Sequence, residues 1–191
     1  MNNLIIIAHP DKQSFCHNGI FKTVYETLLV YKENVDVIDL YEDQFNVFGD
    51  DQRVPFYREL ITKSNRIYII SPVWWFRCTP LLESFFDQVF IPGFAYKFIP
   101  ITKTIAYPKP YLTDKKVRTY LTHGAPALPV LTLYVNSVKL RLVMGVYSFV
   151  FGWFKTRTRQ FWAVPFVSDA KRKQYLQKVF KDVEYDIAGK R

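Results

Sequence analysis

Three short stretches hold most of the side chains able to do chemistry in this chain. They are His9-Pro10-Asp11-Lys12-Gln13-Ser14-Phe15-Cys16-His17, then Pro72-Val73-Trp74-Trp75-Phe76-Arg77, then Thr122-His123-Gly124-Ala125-Pro126. The first runs into a helical pattern, so its backbone N–H groups, with Ser14 and the histidines, suit a phosphate at the positive end of a helix. The second offers flat aromatic surface and backbone donors, which suits the edge of a planar ring, although two Trp and a Phe together also serve as core packing. The third has a hydroxyl, an imidazole and a glycine that lets backbone come close, a set suited to a ring edge where negative charge gathers on reduction. Phosphate cradle, ring surface and electron-rich edge are the parts of a flavin mononucleotide site. His123 also has the plainer reading of a hydrogen-bonded loop histidine. Cys16 beside His17 has the form of a nucleophile and base, but neighbours at a helix start rarely face each other, and a buried packing thiol is the reading preferred here.

Such a site forms only if one architecture brings the three stretches together. Leu4-Ile5-Ile6-Ile7-Ala8 is a continuous apolar run, as in a strand buried on both faces of a parallel sheet. Helical spacing follows from Asn18 to Tyr31, then strand patterns at Val35 to Leu40 and Ile67 to Ile70, with helices predicted at Pro55 to Ser64 and Leu81 to Phe90. A fourth strand is predicted at Val117 to Leu121, helical material interrupted by Gly145 and Gly152 over Thr132 to Phe154, and a weaker fifth strand at Phe161 to Val164. A last helix is capped by Ser168, with Tyr175, Leu176, Val179, Phe180 and Val183 on one face. The alternation, which Gln44 to Arg66 and Lys97 to Lys116 do not simply fit, argues for one α/β domain over residues 1–191: an open, five-stranded parallel sheet of order 2-1-3-4-5 with helices on both faces. In that order strands one, three and four are neighbours, and the three stretches leave their carboxyl ends. Lys97 to Lys116, with Pro100, Pro108 and Pro110 and no helical period, is expected to be an irregular excursion, too long for a passive connection.

The composition excludes several classes. With 191 residues, 49% hydrophobic and 18% aromatic, the chain is neither disordered nor in need of a staple. Two cysteines and three histidines give no metal-ligand pattern, so no metal is expected. No glycine-rich dinucleotide fingerprint follows the first strand and no P-loop is present. Without a basic n-region and long apolar stretch at the start, a cytoplasmic location is expected. The apolar run Leu142 to Phe154 is too short to span a bilayer and reads as a buried or partner-facing helix. Charge is lopsided: residues 1–96 carry 8 basic and 12 acidic side chains, net −4, and residues 97–191 carry 18 and 5, net +13. That suggests an anionic visitor to the second half, or else a solvated basic face. Nucleic acid is not expected, because the cations form no recognisable module.

Ala8-His9-Pro10 with Ser14-Phe15, Asp39-Leu40-Tyr41, Pro72-Val73-Trp74-Trp75-Phe76 with Pro80, and Phe86-Asp87-Gln88-Val89-Phe90 followed by Gly93-Phe94-Ala95-Tyr96 resemble the NAD(P)H dehydrogenase (quinone) family of flavodoxin-like flavoproteins. The resemblance covers most of residues 3–125 and rests on the combination of motifs. It implies noncovalent FMN or FAD, NAD(P)H as co-substrate, a quinone-like acceptor reduced by ping-pong exchange, and a homodimer with the active site at the interface. By motif, His9, Ser14, Phe15 and Cys16 would lie at the phosphate side, Pro72, Val73, Trp74, Trp75 and Phe76 along the ring, and Thr122, His123 and Gly124 at its pyrimidine end, with His123 the candidate catalytic residue. The chain departs from the family after Gly124. The usual Gly-Gly pair and the later Tyr and His are missing from Ala125 to Pro129, which counts against acid assistance and leaves flavin binding in place. A second expectation from the same features, with the net +13 half and the Leu142 to Phe154 run, is a flavin-binding regulatory subunit docked on a membrane partner, peripheral at the membrane and with little turnover.

Overall fold

The computed structural model describes residues 1–189. In chain order the strands are β1 (Asn2–Ile7), β2 (Asn34–Asp39), β3 (Arg66–Pro72), β4 (Tyr96–Pro100), β5 (Ala106–Pro110), β6 (Lys116–Thr122) and β7 (Thr156–Phe161). The helices are α1 (Lys22–Val30), α2 (Val54–Lys63), α3 (Pro80–Val89), α4 (Ala127–Leu131), α5 (Ser137–Leu140), α6 (Ser148–Val150) and α7 (Asp169–Ile187). Wider π-helical turns lead into α1 at Phe15–Phe21 and join α5 to α6 at Arg141–Tyr147.

Leu4 to Ala8 are fully buried because both faces of β1 are covered. Leu4 and Ile6 meet α2, α3 and the Ser137–Val150 helical segment through residues such as Ile61, Phe85 and Tyr147. Ile5 and Ile7 meet α1 and α7 through Val24, Leu28, Val179 and Val183. The sheet runs β2-β1-β3-β6-β7, every pair parallel. With the two strands between β3 and β6 set aside, this is the expected order 2-1-3-4-5.

Three sequence expectations are corrected. Lys97 to Lys116 is not irregular: β4 and β5 form an antiparallel hairpin. Its prolines pair across a two-stranded ribbon that has only edges, where a missing N–H costs little. The fifth strand is Thr156–Phe161 instead of Phe161 to Val164. Thr156-Arg157-Thr158-Arg159-Gln160 shows no apolar run because β7 is an edge strand, with Arg159 ion-paired to Asp182 of α7. Thr132 to Phe154 is helical, but its breaks fall at Val135 and Asn136, which take left-handed backbone, and at Gly152, while Gly145 interrupts nothing and lies inside the turn Arg141–Tyr147. Its apolar run is divided, with Leu142, Tyr147, Val150 and Phe151 buried and Met144, Trp153 and Phe154 exposed. Among the described residues no helix is long and apolar enough to cross a membrane.

Among the buried polar links that tie the helical cover to the sheet is Thr119 Oγ1 with Tyr147 Oη at 2.7 Å, both residues inaccessible to solvent. Breaking one side strands the other. Thr119→Val is therefore expected to destabilise by about 1–3 kcal/mol, and adding Tyr147→Phe to recover most of that loss, in a denaturant-unfolding double-mutant cycle.

Candidate functional site

Hydrogen bonds carry the parallel ladder past the strands and into the loops. The Ala8 N–H donates to Ile70 O at 3.0 Å, the Val73 N–H to Thr122 O at 2.8 Å, and the His123 N–H to Phe161 O at 2.8 Å. The carboxyl ends of β3, β6 and β7 are thus held level with β1 ending two residues short of them, and the loops of all four surround one cavity of about 780 Å³. From the first loop it takes His9, Ser14, Phe15 and Cys16, from the second Pro72, Val73 and Trp74, and from the third Thr122, His123 and Gly124. Ten of the twelve residues singled out in the sequence therefore meet in one place.

In the first loop Asp11 organises the turn. Its carboxylate accepts from the Gln13 N–H at 2.8 Å and its carbonyl from the Ser14 N–H at 3.2 Å. Ser14 caps the helical run that continues to Val30, its Oγ accepting from the His17 N–H at 3.2 Å. That leaves the N–H groups of Phe15 and Cys16, the first turn, without a carbonyl partner among the described residues. Two such donors at a positive helix end suit an anion. The Cys16 thiol is no nucleophile. It is buried against Thr122 Oγ1 at 3.3 Å, and burial pushes its pKa up to about 12. The contact instead locks the first loop to the third.

The histidines are held neutral. His9 accepts the Asp11 N–H on Nδ1 at 3.0 Å and meets the Trp74 ring edge-on, and burial lowers its pKa. His17 faces away from the cavity, bonding His9 O at 3.1 Å near Asp39, and burial lowers its pKa as well. His123, 3% exposed, stacks on Trp162 at 4.2 Å and bonds Gln160 Oε1 through Nε2 at 3.0 Å. Since that oxygen only accepts, Nε2 is assigned the proton. Desolvation pulls this imidazole down to about 4, so at neutral pH it is an uncharged group.

Trp75 and Phe76 do not line the cavity. Trp74 and Arg77 exchange both backbone hydrogen bonds, and between them Trp75 and Phe76 sit at φ 49° and 59°. This tight reversal, usually built from Asn and Gly, turns Trp75 outward to 91% exposure and lays Phe76 on Tyr134 at 4.2 Å. Conversely, sequence reasoning missed the fourth side of the cavity. Val164 and Pro165 after β7, with Asp169, Arg172, Lys173 and Leu176 from the start of α7, close it. Ser168 Oγ caps α7 by accepting the Lys171 N–H, and Arg172 is held by Asp169 at 3.3 Å and by Val164 O. The available signal was topological: the fifth strand neighbours the fourth, so its loop opens at the same edge.

Among the described residues no group of three or more His, Cys, Asp or Glu side chains is placed to hold a metal ion. The family described as having a flavodoxin-like fold matches residues 1–160. A relative from Haemophilus influenzae named as an uncharacterized NAD(P)H oxidoreductase is 28% identical over 153 residues, 65% of this chain and 76% of the relative. The solved NAD(P)H:quinone oxidoreductase from Methanothermobacter marburgensis superposes with a TM-score of 0.78 at 19% identity, covering 97% of this chain and 96% of its own. An FMN-dependent NADH-azoreductase from Bacillus anthracis, solved with FMN, gives 0.72 at 18% identity and 98% coverage of both chains. At these identities the two structures speak for the fold alone. With the matched span covering most of the chain, and the sheet order and loop cluster as described, this chain belongs to the flavodoxin-like fold family.

Proposed function

We propose that the chain is a flavin-dependent oxidoreductase that binds FMN noncovalently and passes a hydride from NAD(P)H to a quinone or similar acceptor by ping-pong exchange. One observation carries this reading: a single cavity joins two orphan helix-start N–H groups to a ring-sized apolar wall and to a neutral, hydrogen-bonded third loop. When bound, FMN would supply the two-electron chemistry. The names of the relative and of the FMN-bound neighbour support the same class, and that neighbour favours FMN over FAD.

The residues themselves bind and orient. The Phe15 and Cys16 N–H groups would take the phosphate, with Lys173 adding charge from α7. Pro72, Val73 and Trp74 would lie along the ring, and Thr122, His123 and Gly124 at its pyrimidine end. The Gly124 N–H has no acceptor among the described residues, and a side chain there would meet nothing within 4 Å, so its backbone is open to a ligand. His123 then acts as an uncharged wall and hydrogen-bonding group, not as an imidazolium acid. Trp75, Leu128 and Phe166 are exposed apolar residues close in sequence to the cavity loops, and we propose that a second copy covers them in a homodimer with the site at its interface.

Purified protein given FMN is expected to become yellow, bleach with NADH or NADPH, and regain colour with a quinone. A protein that takes up neither FMN nor FAD overturns the reading, and binding with background NAD(P)H consumption across several quinones replaces it with the regulatory one. Sedimentation is expected to show a dimer that Trp75→Glu weakens. Burial of three neutral histidines also makes the fold acid-sensitive. Their protons are bound more tightly in the unfolded chain, near pKa 6.5, so stability is expected to hold above that pH and fall as pH drops toward about 4. Urea midpoints across this range check it, with His123→Asn flattening the slope.

A further inference from the structure

The amino-terminal ends of β3, β6 and β7 open a second cavity, of about 520 Å³, at the pole of the sheet away from the first. Register sets its chemistry. Arg66 is paired with Lys116, Tyr68 with Arg118, and Arg118 with Arg157, while Lys155 directly precedes β7. Register partners and residues two apart share a face of a sheet, so these cations crowd one side of it, and like charges on neighbouring strands repel.

Carboxylates answer only part of that charge. Asp186 of α7 grips Arg118 through Nε at 2.5 Å and Nη2 at 2.7 Å, and Asp182 stands 3.4 Å from the same guanidinium. Glu33 holds Arg66 at 3.1 Å, and Asp114 holds Lys115 at 2.9 Å. Lys116, Lys155 and Arg157 have no carboxylate partner among the described residues and stand round one cavity. Arg157 is pre-oriented, its guanidinium 4.5 Å over the Tyr185 ring and donating to that hydroxyl at 3.2 Å.

Two polar groups on the cavity wall are also unmatched. The Tyr68 hydroxyl and Arg66 Nε have no hydrogen-bond partner, although their residues are only 1% and 3% exposed. Folded proteins seldom leave such groups unpaired. Phe154, 99% exposed at the rim, offers a flat apolar surface beside the charges.

We propose that this pole of the sheet is a second ligand site, which takes a small phosphorylated compound, its phosphate met by Lys116, Lys155 and Arg157 and its apolar part laid against Phe154 and Tyr185. Three unanswered cations match a phosphate dianion better than a single carboxylate. A pit of this volume is in the range of small-molecule sites. The proposal does not depend on flavin binding in the first cavity.

Phenyl phosphate is the probe, titrated by calorimetry into the full chain with FMN present. Saturable binding is expected, weakened at least about tenfold in Lys155→Gln/Arg157→Gln, the weight of one charge-assisted hydrogen bond. Lys173→Gln, which alters the first cavity, is expected to leave the affinity unchanged whether or not FMN binds. Tyr68→Phe is expected to weaken the probe without lowering thermal stability. No saturable binding, an affinity indifferent to the double substitution, or loss of binding in Lys173→Gln overturns the proposal. So does a short single-stranded oligonucleotide that displaces the probe and binds more tightly through the same lysine and arginine, since the face would then serve a polymer.

Discussion

Backbone hydrogen bonds that run past the ends of the strands are what the rest of this molecule depends on. A parallel sheet buried on both faces has no freedom in where its connections emerge. β3, β6 and β7 finish level at Pro72, Thr122 and Phe161, β1 stops two residues short of them, and the bonds from Ala8 to Ile70, from Val73 to Thr122 and from His123 to Phe161 keep the departing loops in ladder geometry for a residue more. The buried contact between Cys16 and Thr122 then ties the first loop to the third across β3. Chemistry-bearing residues more than a hundred positions apart become neighbours through main-chain bonds and this one side-chain contact.

Burial explains the character of the site as well as its shape. The same desolvation that makes the core strips charge from its ionisable side chains: Cys16 is raised and His9, His17 and His123 are lowered. What is left facing the cavity is backbone N–H, neutral imidazole and aromatic wall, with Lys173 and the partly neutralised Arg172 at one side. Such a surface can hold and orient a redox group but contributes little proton chemistry of its own. Much of the remaining positive charge gathers at the other pole, where register stacks cations on neighbouring strands faster than α7 can supply carboxylates.

Much of this was legible in the chain because fully buried strands announce themselves. Leu4 to Ala8 and Ile67 to Ile70 are apolar without alternation, and the loops that follow them carry the polar residues. Where burial is partial the signal fades. β7 reads as Thr156-Arg157-Thr158-Arg159-Gln160 because it is an edge strand, where Asp182 of the next helix answers Arg159 and the Tyr185 ring carries Arg157, and the β4–β5 hairpin hides behind three prolines that an edge ribbon tolerates. Trp74-Trp75-Phe76 looks like one aromatic surface, yet a reversal built on two left-handed aromatic residues, with no glycine or asparagine to mark it, points only the first at the cavity. The contribution of α7 was missed for a different reason: its residues are unremarkable by type and matter only through the position of the strand before them.

On this reading three loop ends jointly hold one FMN. A crystal structure of the protein grown with FMN tests it most directly. Density is expected for the phosphate against the Phe15 and Cys16 N–H groups and for the ring between Trp74 and Gly124. Density instead at the cavity of Lys116, Lys155 and Arg157, or a first cavity that stays filled only by water at saturating FMN, would contradict it.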